Sequence, residues 1–414
     1  MRILWFTSSP CGYTSNGTGY NGVGWMVAVE QEIKKQPDIE LGVCFPMDGH
    51  PRHKVVDGVH YYPIRSHRKS IRDKLLDAVM PTHAERDMAV WPQYLEQMQG
   101  VVCDFKPDVI EVFGSEVYIQ LGALVSGDIP TILHIQGLLS LYIHVYHPYG
   151  VSPMRFILSD WNPLKIYGRF QQWVQWKRSC FREMEILKHV KHVIGRTDWD
   201  KAGASILAPQ AQYHYGGEML RKPFYAHHDH VIPERLTIVT TSSGALYKGF
   251  DFILKVADIL KNIMHIDFEW RVFGNIVPTF FEKTTDVHHE DVNVKLLGVA
   301  SAEQLCDEIC NATLYFQPSY IENSPNSLCE AQILGVTPIA TNVGGTSSIV
   351  KDGETGILIP SGEPYYAAYQ IVKLYQDRAL NMKIGENAKV CAKKRHDRND
   401  IITQLLETYR QIMI

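Results

Sequence analysis

The chain has 414 residues, 45% of them hydrophobic and 21% charged, with a formal net charge of -4. That length suits two domains, and the nearly balanced charge gives no bulk attraction to nucleic acid. No apolar run reaches the ~18 residues of a membrane span. The eight cysteines are scattered and form no CxxC pair, as expected of reduced, mostly buried thiols in a cytoplasmic protein. The first residues, MRILWFTSSP, lack the longer apolar core of an export signal and predict a strand.

That strand, Arg2–Phe6, is followed by SSPCGYTSNGTGYNGVGW and a helix from about Trp25 to Lys35. Strands near Leu41–Phe45, Asp108–Val112, Thr131–Ile135 and His192–Ile194 alternate with helical patterns. The alternation predicts a parallel, doubly wound sheet. Gly17, Gly19, Gly22 and Gly24 match a dinucleotide fingerprint in spacing. That fingerprint follows its strand at once, however, and here about ten residues intervene after Phe6. No acidic residue ends the next strand, since Asp48 comes only after Pro46. A tight turn without a ligand is the plain alternative. His134 ends the strand TILHI, where it is either structural or a donor to a ligand. Glu111 and Glu116 flank another strand end, facing an acceptor or lying on the surface.

Phe170, Trp173, Val174, Phe181, Met184 and Leu187 repeat at helical spacing beside Lys177, Arg178 and Arg182. Core packing is the first reading. A membrane-surface or acceptor-binding role, for this helix or for the basic stretch Arg65–Lys74, is the second. Arg196 follows the strand HVIG, a position from which an arginine can hold a phosphate or carboxylate. Asp198 and Asp200 have the spacing of a DxD metal motif, but their place at a helix start predicts capping.

Residues 1–213 thus form a first domain, 214–233 a turn-rich hinge and 234–396 a second domain. His227, His228 and His230 in the hinge are expected to be solvated. The second domain opens with strand Leu236–Thr240, and Lys248-Gly249 starts a helix where a lysine can neutralise a diphosphate. Strands Glu269–Phe273 and Val294–Leu297 follow. The organising stretch is QPSYIENSPNSLCEAQILGVTPIATNVGG, from Gln317 to Gly345. Glu322 and Glu330 bracket a polar turn, and a helix is expected from about Asn326, with Pro325 tolerated before it. Its free N–H groups at Asn326-Ser327 favour an anion, and carboxylates beside them accept hydrogen bonds from hydroxyls. That combination suits a nucleotide-sugar, whereas two glutamates at this spacing alone would be ordinary surface residues.

The E-x7-E pair, the following GVTPIATNVGG and the later VKDGETGILIP occur in order. Together they resemble the donor-binding half of retaining glycosyltransferases of family 4. The resemblance implies the α/β GT-B fold: two facing doubly wound, Rossmann-like domains with an interdomain cleft. It implies a retaining, metal-independent transfer from a nucleotide-sugar, UDP- or GDP-linked, to a glycan or lipid-linked acceptor in surface polysaccharide or glycoconjugate synthesis. No cofactor besides the donor is implied, and the location would be cytoplasmic or peripheral at the inner membrane face. By the same resemblance Glu322 orients the donor sugar and Glu330 holds the ribose. Lys248 and the helix start at Asn326 and Ser327 meet the phosphates, backbone near Gly298 and Val299 meets the base, and His134 reaches the sugar. Gly344-Gly345-Thr346 would offer further backbone donors. The loop with Gly22 and Gly24 would approach the donor phosphate or acceptor, with Asn21-Gly22-Val23-Gly24 in place of the commoner Gly-Gly-x-Gly. Relatives carry an arginine five residues before the lysine, where this chain has Ser243, so Arg196 is a candidate substitute. The final segment, Asp397–Ile414, is expected to return to the first domain. A nucleotide-sugar epimerase and a non-catalytic nucleotide- or glycan-binding protein are the alternatives.

Overall fold

The computed structural model describes residues 1–13, 24–49, 52–67, 83–226 and 230–414. The chain divides into two units. Unit 1 comprises Met1–His144, Pro153–Met219 and Arg398–Ile414, and unit 2 comprises Val145–Ser152 and Leu220–Asp397. The chain therefore passes between units four times, one excursion being the short segment Val145–Ser152.

Unit 1 is built on eight strands: β1 (Arg2–Phe6), β2 (Glu40–Met47), β3 (Lys54–Val56), β4 (Val59–Arg65), β5 (Val109–Phe113), β6 (Thr131–His134), β7 (His192–Gly195) and β8 (Gln212–Tyr215). Their order is β3-β4-β2-β1-β5-β6-β7-β8, parallel throughout except for β3 against β4. A parallel sheet must be covered on both faces, and its strands show it. Leu4 and Phe6 enter one apolar cluster, while Ile3 and Trp5 enter another on the opposite face. The hairpin β3–β4 and the edge strand β8 were not among the expected strands. Lys54–Val56 is only three residues long and Gln212–Tyr215 has no aliphatic side chain, so neither carries an apolar run long enough to mark it.

The last helix, Arg398–Ile412, belongs to unit 1 and buries Ile401, Ile402, Leu405, Leu406 and Tyr409 in the cluster around Trp5. The Tyr409 hydroxyl donates to Glu111 and accepts from Trp5 Nε1 at 3.2 Å. Glu111 is fully buried, which corrects the surface placement left open for it. Arg178 and Arg182, expected beside the core of the long helix Pro163–His189, are buried within it. Arg182 pairs with the buried Asp87 at 2.9 Å and lies over the Tyr118 ring.

Unit 2 has six strands: β9 (Leu236–Thr241), β10 (Phe268–Phe273), β11 (Val294–Gly298), β12 (Leu314–Gln317), β13 (Pro338–Thr341) and β14 (Ile357–Ile359). They run parallel in the order β11-β10-β9-β12-β13-β14. This is a Rossmann order, and its direction reverses between β9 and β12. In such open sheets ligands bind at the carboxyl ends of the strands where the order reverses. The excursion packs here: Tyr146 meets Tyr247, and Tyr149 meets Tyr320 edge-on with ring centres 5.2 Å apart.

Removing the Tyr409 hydroxyl leaves one oxygen of a buried carboxylate without its donor. Tyr409→Phe is expected to destabilise unit 1 by about 1–3 kcal/mol, measured by urea unfolding.

Candidate functional site

The β9–β12 reversal places Lys248 and Glu322 side by side. After β9 the chain makes the tight turn Leu246–Lys248, and Gly249 starts the helix Phe250–Asp258 in a left-handed conformation (φ 72°). A Cβ on Gly249 would lie 2.2 Å from the Pro318 carbonyl oxygen, so glycine is what lets the two loops close on each other. The Tyr320 N–H then bonds the Tyr247 carbonyl at 2.7 Å, and the Tyr320 hydroxyl donates to Asp251 at 2.7 Å.

Across this junction Lys248 Nζ reaches Glu322 Oε1 at 2.7 Å. The same oxygen accepts from Ser319 Oγ at 2.6 Å and Gln317 Nε2 at 3.1 Å. Burial alone works against the Lys248 charge. The Glu322 carboxylate and the Tyr247 phenol beside it more than offset that, and the lysine pKa lies above its ordinary value. The pair is charged and preorganised, with Lys248 partly open to solvent.

The helix Asn326–Leu334 starts directly after Pro325 with no side-chain cap. Gly335 ends it at φ 84°. Glu330 is buried in this helix and takes both guanidinium arms of Arg221, Nε to Oε1 and Nη2 to Oε2, each at 2.7 Å. Burial opposes the Arg221 charge, but the Glu330 carboxylate outweighs it and raises the arginine's pKa. Arg221 is a residue that sequence reasoning missed. It stands in a turn-rich stretch 109 positions from its partner, and the only clue is that a buried glutamate needs a counter-charge.

The turn Gly344-Gly345-Thr346 departs from expectation. Gly345 N–H bonds the Glu322 carbonyl at 2.9 Å and Thr346 N–H bonds Val343 at 3.1 Å, so these donors hold the loop itself. Gly344 has φ 53°, and a Cβ there would lie 1.9 Å from the Glu322 carbonyl oxygen. At the end of β11, Gly298 (φ 70°) faces open space and Val299 is exposed.

In unit 1, His134 at the end of β6 is buried with both ring nitrogens engaged. Nδ1 meets Glu111 Oε1 at 2.8 Å, and Nε2 meets Arg196 Nη1 at 3.1 Å. Arginine only donates, so Nε2 is the acceptor and the proton sits on Nδ1, directed at Glu111. The expected donation from His134 to a sugar is therefore absent from this arrangement. Arg196 also bonds the Ile135 carbonyl at 3.1 Å and pairs with Glu218 at 3.3 Å, so the proposed substitute charge is engaged inside unit 1. Asp200 accepts from the N–H groups of Arg196 and Thr197 and from the Tyr213 hydroxyl, which is capping chemistry. Among the described residues no group of three or more His, Cys, Asp or Glu side chains could hold a metal ion. Gly24 opens the first helix, whereas Gly22, the rest of the glycine loop, His227 and His228 lie outside the described residues.

Glu116 follows β5 and is partly buried. Burial pushes its carboxyl up to about 7, and the nearby Glu183 charge acts in the same direction. Glu183 itself accepts from Ser115 Oγ and from the N–H groups of Leu139 and Ser140.

Residues 227–390 match the family described as glycosyl transferases group 1. The fold is GT-B. A solved structure of Anabaena HepE in complex with UDP and glucose superposes with a TM-score of 0.65 at 15% identity, covering 99% of this chain and 100% of that one. A D-inositol 3-phosphate glycosyltransferase of Paenarthrobacter aurescens is 30% identical over 189 residues, which are 44% of this chain and 45% of that protein. An uncharacterised 41.2 kDa protein from the cps region of Klebsiella pneumoniae is 25% identical over 201 residues, 47% of this chain and 52% of that protein. The match thus spans about half the length of these curated relatives.

Two outcomes follow for these charges. Arg221→Gln and Glu330→Gln should each destabilise unit 2, and the double variant should fall short of their sum by about 1–3 kcal/mol in urea unfolding. For Glu116, the folded form keeps a proton that the unfolded chain loses above its ordinary 4.5. Its contribution to stability is therefore present at low pH and is lost as pH rises from about 4.5 through about 7. Glu116→Gln should flatten the fall in Tm between about pH 5 and pH 7.5.

Proposed function

We propose that the protein is a retaining glycosyltransferase that moves a sugar from a nucleotide-sugar to a glycan or lipid-linked acceptor in surface polysaccharide or glycoconjugate synthesis. The observation that carries the reading is the Lys248–Glu322 pair, set at the sheet reversal of a group 1 glycosyltransferase unit. UDP and glucose bound to a protein of the same fold support a UDP-sugar donor, with GDP as the alternative base. The cps-region relative supports a role in surface polysaccharide.

In this reading the diphosphate lies against Lys248 and the N-terminus of the helix at Asn326 and Ser327. Phosphate oxygens gain charge as the glycosidic bond breaks, so a fixed ammonium and helix N–H groups favour the transition state over the ground state. These groups make a divalent metal unnecessary. Ribose hydroxyls donate to Glu330, held in place by Arg221, and the base meets backbone near Gly298 and Val299. Glu322 accepts from sugar hydroxyls and thereby orients the anomeric carbon. Its oxygen already bonded to Lys248, Ser319 and Gln317 leaves the other oxygen for the sugar. His134, Arg196 and the Gly22–Gly24 loop belong to unit 1, where the acceptor would be taken.

A screen of UDP- and GDP-sugars for slow hydrolysis without acceptor, in EDTA, tests the reading. Release of free sugar is expected, whereas an isomerised donor with no free sugar would indicate an epimerase and no conversion a binding protein. Lys248→Ala should weaken nucleoside-diphosphate binding by about 1.5–3 kcal/mol. Glu330→Gln should weaken it too and raise donor KM. Glu322→Gln should leave diphosphate affinity unchanged or tighter, since Lys248 is released, and should lose mainly kcat. Calorimetry and steady-state kinetics on the three variants separate the roles, and a loss of diphosphate binding confined to Glu322→Gln would reverse them.

A further inference from the structure

Unit 2 carries a line of exposed tyrosines that the candidate donor site does not use. It starts at Tyr149 in the excursion Val145–Ser152, which is 64% exposed although its ring meets Tyr320 edge-on. Tyr320 stands just before Glu322 in the chain. The Tyr149 ring also lies on the loop after β14, where a Cβ on Gly362 would come within 2.7 Å of it. Gly362 leads into the helix Pro364–Gln376. The outer face of that helix shows Tyr365 (66% exposed), Tyr366 (44%) and Tyr369 (55%), then Lys373 and Gln376. These positions recur at steps of three and four, so they form one stripe. The inner face buries Ala367, Ala368, Ile371 and Leu374. The stripe ends in a groove of about 740 Å³ whose walls include Met264, Tyr369, Lys373, Gln376 and Asp377. That end is well held. Asp377 accepts from Leu380 N–H at 2.9 Å, Arg378 donates to the Pro233 carbonyl at 3.1 Å, and the Tyr375 hydroxyl donates to the Glu234 carbonyl at 2.9 Å.

The chemistry of the stripe selects a ligand. Residues 361–378 carry Glu363 and Asp377 against Lys373 and Arg378, so they offer no net charge to a polyanion. A protein partner needs an apolar centre to bury, and the aliphatic side chains of this helix already point inward. Each tyrosine presents a flat apolar face with a hydroxyl at its edge. The groove adds ammonium donors on Lys373, an amide on Gln376 and a carboxylate acceptor on Asp377. A sugar ring has the matching halves: a C–H face that packs flat on an aromatic ring, and hydroxyls around its rim that both donate and accept. From Tyr365 to Gln376 the helix runs about 16 Å, which suits a short oligosaccharide better than a single sugar. We propose that Tyr149, Tyr365, Tyr366 and Tyr369, with the groove beyond them, form a second carbohydrate site that holds an oligosaccharide chain along unit 2. Its role rests on the transferase reading, since the site would retain a glycan beside the donor unit between transfers.

The stripe includes none of the residues assigned to sugar transfer, so binding can be measured without donor or nucleotide. The experiment is a ligand-observed NMR titration of the full chain with maltose, maltoheptaose and chitohexaose. At least one of the two long oligosaccharides should bind, and about fivefold or more tighter than maltose, because only a longer chain spans the stripe. Tyr366→Ala/Tyr369→Ala should weaken that binding by about fivefold or more, while Tm and nucleoside-diphosphate affinity stay unchanged. Failure of both long oligosaccharides to bind, equal binding of maltose, or equal affinity of wild type and double variant would overturn the proposal. So would wild-type dimers in sedimentation velocity that the double variant lacks, since the stripe would then be a contact between copies. Donor hydrolysis is read separately. Hydrolysis without oligosaccharide binding overturns the second site alone, and length-dependent binding without hydrolysis supports the site and overturns the transferase reading.

Discussion

Everything in the candidate donor site depends on two loops approaching closely at the reversal of the unit 2 sheet. Gly249 passes so near the Pro318 carbonyl that no side chain fits. That approach brings Lys248 onto Glu322 and lets Tyr320 bond the Tyr247 backbone. A second glycine, Gly344, allows the next loop to close on the Glu322 carbonyl from the other side. Glu322 is thus held by its carboxylate and its backbone at once. Such over-determination keeps a charged side chain in one geometry despite the entropy of ordering it.

The two glutamates of the motif are held in different ways. Glu322 accepts at one oxygen from a lysine, a hydroxyl and an amide. Glu330 is clamped at both oxygens by one guanidinium. A carboxylate held at one end can turn toward a ligand with its other oxygen. One held in a fork is fixed in plane and keeps only its remaining lone pairs for hydroxyl donors. In the proposed reading the first would meet the donor sugar and the second the ribose.

Much of this was legible because it is written in short segments. β1, β5, β6, β7 and β9 show as apolar runs between turns, and the Glu322–Glu330 turn carries its proline and helix start within a few residues. What escaped was set by distant partners. Arg221 finds Glu330 across more than a hundred positions, Glu111 is buried by Tyr409 from the end of the chain, and Arg182 finds Asp87. A charged residue gives no local sign of being buried, because the charge that compensates it is elsewhere in the chain. Likewise the backbone donors of Gly345 and Thr346 looked available until the loop was seen to use them on itself.

The excursion Val145–Ser152 bears on how such a protein can be taken apart or recombined. The matched family region, 227–390, suggests a cassette that could be cut out and joined to another partner. The contacts of unit 2 are not all encoded there. Tyr146 and Tyr149 come from the middle of the other unit's sequence and cover Tyr247 and Tyr320, the neighbours of Lys248 and Glu322. A gene fragment cut at the two later crossovers would leave these aromatic faces bare. Recombination that keeps the motif intact would still lose part of its support.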